Sequence, residues 1–391
     1  MQLVRTVERS YHELFGEKPL LVRSPGRVNL LGEHTDYNEG FVLPAAISNA
    51  IYFAIGTSPD QECRIVALDM NDDHRFQLAS ITPSAKGWPN YVLGVVDQLQ
   101  RAGQRIPPFR AVFGGDIPIG AGMSSSAALE AGIAFGLNVL FELGIDNLSL
   151  VKLSQKAENE FVGVRCGIMD QYINIFGQRG KVLRIDCRTL ENIPYPFNYD
   201  NLALVLFDSR VSHSLASSEY NRRRSECAEG VQAIRKSYPE VRSLRDVFPE
   251  MLDACRTDLD PIVYRRCKYV IDENTRMIRA CEALTRKDIV SFGSMMYLTH
   301  AGLRDDYEVS CKELDFLVDT VADLPQVRGA RMMGGGFGGC TLNLIDTSAI
   351  ENITQVVSEK YFRRFGIKPL VYITSIRSGT AVVNASENAK V

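Results

Sequence analysis

The sequence predicts an α+β protein with two lobes, and two observations support this fold class. The chain has 391 residues, and because a single hydrophobic core usually stops growing at about 250–300 residues, about two domains are expected. Strands and helices alternate in the first half, whereas a long helical region flanked by strands occupies the second half. The pattern changes at Pro194–Pro196, which is the predicted boundary between residues 1–196 and residues 197–391.

Hydrophobic periodicity assigns the elements of the first half. The N-terminal stretch is amphipathic with the helical period, which predicts a helix over about residues 3–15. Extended segments are predicted next, followed by three helices with one strand between the first two of them. The strands cover about residues 20–31, 41–56, 62–69 and 110–116, and the helices cover about residues 88–102, 125–143 and 149–162.

The second half begins with the run "LALVLFDS" at residues 202–209, which is typical of a buried strand. A mostly helical region is predicted from about residue 215 to residue 323. Three strands are predicted after it, near residues 330–333, 340–345 and 370–376. This order of strands, helices and strands favours the α+β class.

Composition and charge exclude several classes of partner. A content of 45% apolar and 23% charged residues is ordinary for a soluble globular protein, and the net charge of -3 gives no electrostatic reason to bind nucleic acid or a membrane. The N-terminus lacks the apolar region of a signal peptide, and Glu130 interrupts the longest apolar stretch. We expect a cytoplasmic monomer with no nucleic-acid or membrane partner.

The cysteines and histidines are dispersed along the chain. No two of the nine cysteines have C-x-x-C spacing, and an odd number without a framework predicts free thiols in a reducing compartment. The five histidines contain no H-x-x-x-H pair, so a zinc site is not expected.

A run of polar side chains stands between two glycines near the N-terminus. In the stretch "GRVNLLGEHTDYNEG", from Gly26 to Gly40, the six side chains from Glu33 to Asn38 all carry hydrogen-bonding groups. A solvated loop is one interpretation, but it does not explain why apolar runs flank this turn on both sides. The turn is therefore a candidate binding element.

A glycine-rich turn leads into a predicted helix in the stretch "GGDIPIGAGMSSSAALEAG". Gly120 and Gly122 precede Ser124, Ser125 and Ser126. Glycines let a backbone approach a phosphate closely, and the first turn of a helix favours anions. The serines could cap the helix, hold a phosphate oxygen or ligate Mg²⁺. No Walker A motif is present, and neither are the HRD and DFG markers of protein kinases.

Two further segments carry candidate functional groups. In "MMGGGFGGCTLNLI", the glycines satisfy G-x-G-x-x-G but lead into an extended segment, which argues against a dinucleotide site and for a tight loop. In "AENEFVGVRCGIMDQYI", Glu158 lies on a predicted helix and Asp170 follows Gly167. An aspartate after a glycine could be a helix cap. Near a phosphate loop, one carboxylate could instead hold Mg²⁺ and the other could act on a hydroxyl nucleophile.

Together these segments resemble the GHMP small-molecule kinase family. "GDIPIGAGMSSSAALE" is similar to the phosphate loop of the family, and "MGGGFGG" is similar to its C-terminal glycine motif. "SPGRVNLLGEHTDYNEGFVLP" resembles the signature of the members that phosphorylate galactose, and the similarity covers about residues 18–376. The resemblance implies a two-lobed GHMP kinase fold with a ribosomal S5-like N-terminal lobe, a ferredoxin-like C-terminal lobe and the active site between them.

The resemblance also implies a reaction, the ATP-dependent phosphorylation of the anomeric C1 hydroxyl of galactose with Mg²⁺ as cofactor. Asp170 would be the catalytic carboxylate, which either removes the hydroxyl proton or only orients the hydroxyl, and Arg27 would sit beside the γ-phosphate. Ser126 and Glu158 would hold the metal, and Trp88 would lie near the adenine. The residues that would bind the sugar are Glu33, His34, Thr35, Asp36, Gly167 and Tyr220. Those that would cradle the ATP phosphates are Gly120, Ala121, Gly122, Met123, Ser124, Ser125 and Ser126.

Two alternatives remain open from the sequence. The substrate could be another one, such as N-acetylgalactosamine or arabinose, whereas the sugar signature disfavours mevalonate and homoserine. The chain could also be a silent relative that binds sugar and ATP as a sensor. The presence of Arg27, Ser126, Glu158 and Asp170 disfavours the sensor.

Overall fold

The secondary structure is known from a computed structural model that describes residues 2–118, 120–212 and 216–383. The helices are α1 Gln2–Phe15, α2 Pro89–Arg101, α3 Ser125–Leu140, α4 Asn147–Ala157, α5 Met169–Phe176, α6 Ala216–Ile234, α7 Pro249–Ala254, α8 Pro261–Thr285, α9 Ile289–Ala301, α10 Lys312–Ala322 and α11 Ile350–Phe365. The strands are β1 Leu20–Asn29, β2 Phe41–Val42, β3 Pro44–Thr57, β4 Cys63–Ala67, β5 Asp72–Phe76, β6 Phe109–Gly115, β7 Lys181–Asp186, β8 Asn192–Pro196, β9 Leu202–Ser212, β10 Val327–Met332, β11 Gly338–Asp346, β12 Leu370–Thr374 and β13 Ala381–Val382.

The N-terminal lobe is organised by a mixed sheet with the strand order β13-β1-β3-β6-β4-β5. Strands β4 and β6 are parallel, and the other neighbours are antiparallel. Successive side chains of a strand point to opposite faces. Accordingly, Val22 and Phe53 pack against α2, α3 and α4 on one face, whereas Leu21 and Ala54 pack against α1 on the other. Helix α3 is thereby held against the sheet, and Ala128 near its start belongs to a buried cluster that also contains residues of the second lobe.

The C-terminal lobe contains an antiparallel sheet with the order β10-β11-β9-β12. In chain order, this lobe runs strand, helices, two strands, helix and strand, which is the ferredoxin-like arrangement. Val205 and Phe207 of β9 face α10 and α11, whereas Leu204 and Leu206 face α8 and α9. The expected pairing of an N-terminal α+β lobe with a ferredoxin-like lobe is confirmed.

A shared hydrophobic cluster joins the two lobes. Leu30 and Leu43 from the N-terminal lobe belong to the same buried cluster as Met277, Leu342 and Leu344 from the C-terminal lobe. Burial of apolar surface stabilises the folded state by about 25 cal/mol per Å², so this continuous cluster favours a fixed relative position of the lobes. The cavity between them is therefore built from both halves of the chain.

The predicted boundary at Pro194–Pro196 lies within β8, which pairs with β7 in a small sheet of order β2-β7-β8. At the far end of the chain, β13 returns to the first sheet and pairs with β1. We propose that residues 1–196 and residues 197–391 form the two lobes, with β13 of the second part adding a strand to the sheet of the first lobe. In the described residues, no helix combines the length and the hydropathy that a membrane span requires.

Most predicted elements are confirmed, with differences at their ends. The helix predicted over residues 3–15 spans Gln2–Phe15, and the strand predicted over residues 110–116 spans Phe109–Gly115. The helix predicted over residues 149–162 stops at Ala157 and continues as a π-helical turn, Glu158–Val162. The structure adds elements that the sequence reasoning had not assigned, namely β5, α5, β7, β8, α11 and β13.

Candidate active site

A cavity of about 190 Å³ opens between the two lobes. Its walls come from the end of β1, the polar turn after it (residues 32–40), the segment before α5 with the first turn of α5, and helix α6. The glycine loop after β10 (residues 333–337) completes them. The lining residues are Arg27, Glu33, His34, Asp36, Glu158, Val164, Cys166, Gly167, Met169, Asp170, Tyr220, Gly334 and Gly335. Every predicted sugar-binding residue except Thr35 lines this cavity, together with the predicted catalytic pair.

Arg27 and Asp170 form a bidentate ion pair in this cavity. Nε of Arg27 lies 2.8 Å from Oδ1 of Asp170, and Nη2 lies 2.9 Å from Oδ2. A shift of register between Pro25 and Arg27 bends β1 at this point, and the backbone N–H of Arg27 donates to the carbonyl of Met123 at 3.2 Å. Two parallel hydrogen bonds of this kind fix orientation as well as distance. The carboxylate of Asp170 is therefore held in one orientation at the cavity wall.

The predicted phosphate loop lies against this ion pair. Gly120 and Gly122 have φ angles of 80° and 74°, in the left-handed region that glycine adopts easily, and Ser124 has a φ of 57°. Nη1 of Arg27 donates to the carbonyl of Gly122, and the hydroxyl of Ser124 donates to Asp170. The loop then enters α3, whose first N–H groups and dipole favour an anion. An anion bound here would lie beside both charged groups.

The side chains within the loop have different environments. Those of Ala121 and Met123 are buried in the cluster that joins the lobes, so they anchor the loop. Ser125 and Ser126 line a second cavity of about 490 Å³, as do Trp88 and other apolar side chains. The structure thus places Trp88 beside the phosphate loop, with its indole N–H donating to Asp72 at 2.9 Å.

The polar turn after β1 is tied internally and to the second lobe. Glu33 accepts hydrogen bonds from Asn29 at 3.0 Å, from Arg331 at 3.0 Å and from the N–H of Gly334 at 2.8 Å. Burial opposes a charge on Glu33, but the charges of Arg331 and Arg27 and the hydrogen bonds to the carboxylate together outweigh burial, so the pKa of this carboxyl lies below its usual range. The hydroxyl of Thr35 donates to two backbone carbonyls within the turn, which explains why Thr35 does not line the cavity.

His34 lines the cavity with its ring in a fixed, neutral state. One ring nitrogen lies 3.1 Å from the carbonyl of Gly335, which can only accept, so Nε2 carries the proton. Nδ1 then accepts from the hydroxyl of Tyr37 at 2.7 Å. Burial lowers the pKa of His34 to about 4. Because both nitrogens are bonded within the protein, His34 shapes the cavity wall together with Tyr220, whose ring centroid is 5.3 Å away.

Asp36 and Gly167 face each other across the cavity wall. Burial, with a smaller contribution from the charge of Asp170, raises the pKa of Asp36 to about 7. A Cβ atom placed on Gly167 would lie only 1.7 Å from Oδ2 of Asp36, so any side chain at this position would displace the carboxylate of Asp36. Asp36 is thus a partly buried acceptor whose position depends on Gly167 having no side chain.

Glu158 and Ser126 fit a hard divalent cation. Burial raises the pKa of the Glu158 carboxyl, and the hydrogen bonds from Cys166 and Ser126 oppose this shift only in part. The described residues contain no group of three His, Cys, Asp or Glu side chains that could enclose a metal. Mg²⁺ commonly uses one or two protein oxygens together with substrate phosphates. One carboxylate and one hydroxyl beside a phosphate loop match that requirement.

Two residues that the sequence analysis did not select hold Glu158 in place. Nε2 of Gln171 donates to Oε2 of Glu158 at 2.7 Å and to Oε2 of Glu130 at 3.1 Å. Burial and the neighbouring Glu158 raise the pKa of Glu130 well above its usual range, which favours the protonated form. The sequence does single out Glu130, because it is an acidic residue in the mostly apolar helix α3.

The structure also adds residues behind the polar turn. Tyr37 joins His34 to Tyr307 through hydroxyl contacts of 2.7 Å and 2.9 Å. Glu273 of α8 accepts from the N–H of Gly32 at 2.8 Å, which fixes the start of the turn. Only Tyr37 could have been found from its sequence position inside the turn. Glu273 is remote along the chain.

Comparison with known families agrees with this geometry in three segments. Residues 9–57 match the galactokinase galactose-binding signature, residues 90–178 match the N-terminal domain of GHMP kinases, and residues 280–363 match the C-terminal domain of GHMP kinases. These segments carry the polar turn, the phosphate loop and the glycine loop, respectively. The protein is thus a kinase of the GHMP class, a family of enzymes that carry out ATP-dependent phosphoryl transfer.

Curated relatives resemble the chain over nearly its whole length. A galactokinase of Roseiflexus sp. is 41% identical over 383 residues, which is 97% of each chain. A galactokinase of Chloroflexus aurantiacus is 38% identical over 389 residues, covering 99% of this chain and 100% of the relative. The chain belongs to the galactokinase family.

Solved structures of two kinases share the fold of this chain. The crystal structure of Lactococcus lactis galactokinase complexed with galactose has a TM-score of 0.92 and 33% identity, and covers 96% of this chain and 98% of its own. A mevalonate kinase of Methanococcus jannaschii has a TM-score of 0.65 and 16% identity, and covers 92% of this chain and 99% of its own. The second likeness concerns the fold alone.

Proposed function

We propose that this protein transfers the γ-phosphoryl group of ATP to the C1 hydroxyl of D-galactose, giving galactose 1-phosphate and ADP. This reaction is the first committed step of galactose catabolism. The observation that carries the proposal is the ion pair of Arg27 and Asp170, which stands between the phosphate loop and a cavity lined by hydrogen-bonding groups. Membership of the galactokinase family supports galactose as the substrate.

In the proposed reaction, the C1 hydroxyl oxygen attacks the γ-phosphorus and the bond to the bridging oxygen of the β-phosphate breaks. Asp170 accepts the hydrogen bond of that hydroxyl and takes up its proton as the new bond forms. Arg27 and the N–H groups at the start of α3 face the charge that spreads over the transferred group. Positioning and charge stabilisation supply most of the catalysis in phosphoryl transfer.

Sugar selection is assigned to the remaining lining residues. Asp36 accepts from sugar hydroxyls, Tyr220 supplies a hydroxyl, Gly167 supplies its backbone, and Glu33 and His34 complete the wall. A buried polar group left without a partner costs about 1–3 kcal/mol, so fixed acceptors discriminate between sugars that differ in one hydroxyl.

Gly120 to Ser126 are assigned to the phosphates of ATP, and Ser126 with Glu158 to Mg²⁺. When bound, the cation would neutralise phosphate charge. The apolar cavity that Trp88 lines is assigned to the adenine, since it adjoins Ser125 and Ser126. We further propose a cytoplasmic monomer with no nucleic-acid or membrane partner, in keeping with the net charge of -3.

The affinity for galactose is expected to fall as the pH drops below about 7. Asp36 has a raised pKa of about 7 in the free protein, whereas hydroxyl donors from the sugar favour its ionised form. Binding below this pH must therefore release a proton, and the Kd rises by at most about tenfold per pH unit. Calorimetric titrations of galactose at several pH values measure this. A Kd that is independent of pH in the wild type, or an unchanged dependence in Asp36→Asn, would contradict the assignment.

The proposed function is tested by a coupled assay for ADP release across a panel of sugars. Galactose should give the highest kcat/KM, and N-acetylgalactosamine, arabinose and glucose should give values lower by about tenfold or more. Release of ADP with N-acetylgalactosamine but not with galactose would overturn the choice of substrate. The absence of sugar-dependent ADP release with every member of the panel would overturn the proposed activity.

A further inference from the structure

Arg331 is a fully buried arginine that no step of the proposed reaction uses. It lies in β10, and its side chain is 0% exposed. It is not among the residues that line the 190 Å³ cavity between the lobes, the proposed sugar cavity. A buried guanidinium persists only where acceptors satisfy its N–H groups. The partners of Arg331 therefore indicate what this side chain does.

The acceptors of Arg331 come from both lobes. Nε donates to the carbonyl of Leu30 at 2.7 Å, and Nη2 donates to the carbonyl of Asn29 and to the carboxylate of Glu33 at 3.0 Å. Nη1 donates to the carbonyl of Met332 at 2.6 Å. The first three acceptors lie at the end of β1 and in the polar turn, whereas the last lies where β10 enters the glycine loop. A single planar side chain thus joins the two segments.

Two further hydrogen bonds close the glycine loop onto the turn. Glu33 accepts from the N–H of Gly334 at 2.8 Å with the same oxygen that receives Arg331, and His34 donates to the carbonyl of Gly335 at 3.1 Å. His34 has a φ of 61°, in the left-handed region that is costly for a residue with a side chain. The conformation of the turn therefore depends on partners supplied by the other lobe, and Arg331 is the one that donates a charged hydrogen bond to the Glu33 carboxylate.

We propose that Arg331 is a positioning residue for the sugar, acting through Glu33. It fixes the Glu33 carboxylate and sets the polar turn in register with the glycine loop, so the affinity for sugar depends on a side chain that does not touch the sugar. The inference rests on the proposed function, because it assigns the turn to galactose. It predicts that the effect of changing Arg331 appears in the binding of sugar and not in the phosphoryl-transfer step.

The test compares Arg331→Lys with Arg328→Lys on the same strand. Lysine keeps the positive charge but lacks the planar guanidinium group, which donates several hydrogen bonds in fixed directions. Arg328 also holds a carboxylate with two bonds, to Asp346 at 3.1 Å and 2.8 Å, but lies outside the cavity. We expect Arg331→Lys to raise the KM and the Kd for galactose by about tenfold or more, with kcat and the KM for ATP changed by less than about twofold. Arg328→Lys should leave all four values within about twofold of the wild type.

A second pair of variants covers the case in which Arg331→Lys does not fold. The double variant Arg331→Met with Glu33→Gln leaves no buried charge uncompensated, and its KM for galactose should equal that of Glu33→Gln alone, because Arg331 acts through Glu33. An unchanged KM for galactose in folded Arg331→Lys would overturn the inference, as would an equal loss for ATP and sugar. A wild type without galactose-dependent ADP release would instead overturn the proposed function.

Discussion

Asp170→Asn is expected to lower kcat by about 100- to 10 000-fold while the Kd for galactose changes little. Asparagine has nearly the same shape and can still accept from Arg27, but it cannot take up the hydroxyl proton, and positioned acid–base groups contribute about this factor. Asparagine keeps one of the two acceptors that Arg27 uses, and Glu33 and His34 are held by other partners, so the sugar-binding wall should survive. Steady-state kinetics and calorimetry with galactose measure the two quantities separately.

Asp186→Asn is the matched control for this prediction. Asp186 also pairs with an arginine, Arg245, at 3.0 Å, but it does not line the sugar cavity. The control should keep kcat within about twofold of the wild type. If Asp170→Asn retained nearly normal kcat, its assignment as the catalytic carboxylate would be wrong.

Gly167→Ala is expected to raise the KM for galactose by about 100-fold and to leave the KM for ATP nearly unchanged. The added methyl group would lie 1.7 Å from Oδ2 of Asp36, so this carboxylate must turn away from its position in the cavity wall. A displaced acceptor leaves sugar hydroxyls without their partner, and each good hydrogen bond to a charged group is worth about 1.5–3 kcal/mol. The ratio of the two KM values, measured in the ADP-release assay, checks the prediction.

A double-mutant cycle gives the sharper form of this prediction. In the Asp36→Ala background the carboxylate is absent, so Gly167→Ala should add less than about twofold to the KM for galactose. Full additivity of the two substitutions would show that Gly167 acts on the sugar independently of Asp36. Thermal denaturation of each variant separates these effects from a loss of folded protein.

The parts of the site that sequence could predict are those written in short, contiguous motifs. The polar turn and the serine-rich loop each lie within a stretch of about twenty residues. Their glycines indicate places where the backbone can approach a ligand closely. The pairing of Arg27 with Asp170, 143 residues apart, has no local signal. It was predicted only because the chain resembles a family in which both positions act together.

Other features depend on the direction in which side chains point, which the amino-acid sequence does not specify. Thr35 stands between two cavity-lining residues, yet its hydroxyl donates to backbone carbonyls inside the turn. Glu158 was expected on a regular helix but begins a π-helical turn, a distortion that is often found at functional sites. Arg331 lies in a strand of mostly apolar residues, and its role follows only from partners about 300 residues away.

The position of the phosphate in the product tests the central proposal most directly. Wild-type protein is incubated with galactose, ATP and Mg²⁺, and the sugar product is examined by phosphorus NMR with coupling to the sugar protons. We expect one phosphomonoester coupled to the anomeric proton H1, with one ADP formed for each sugar phosphate. A phosphate on another sugar carbon, or ADP formed without any sugar phosphate, would contradict a site in which Arg27 and Asp170 direct the C1 hydroxyl toward ATP.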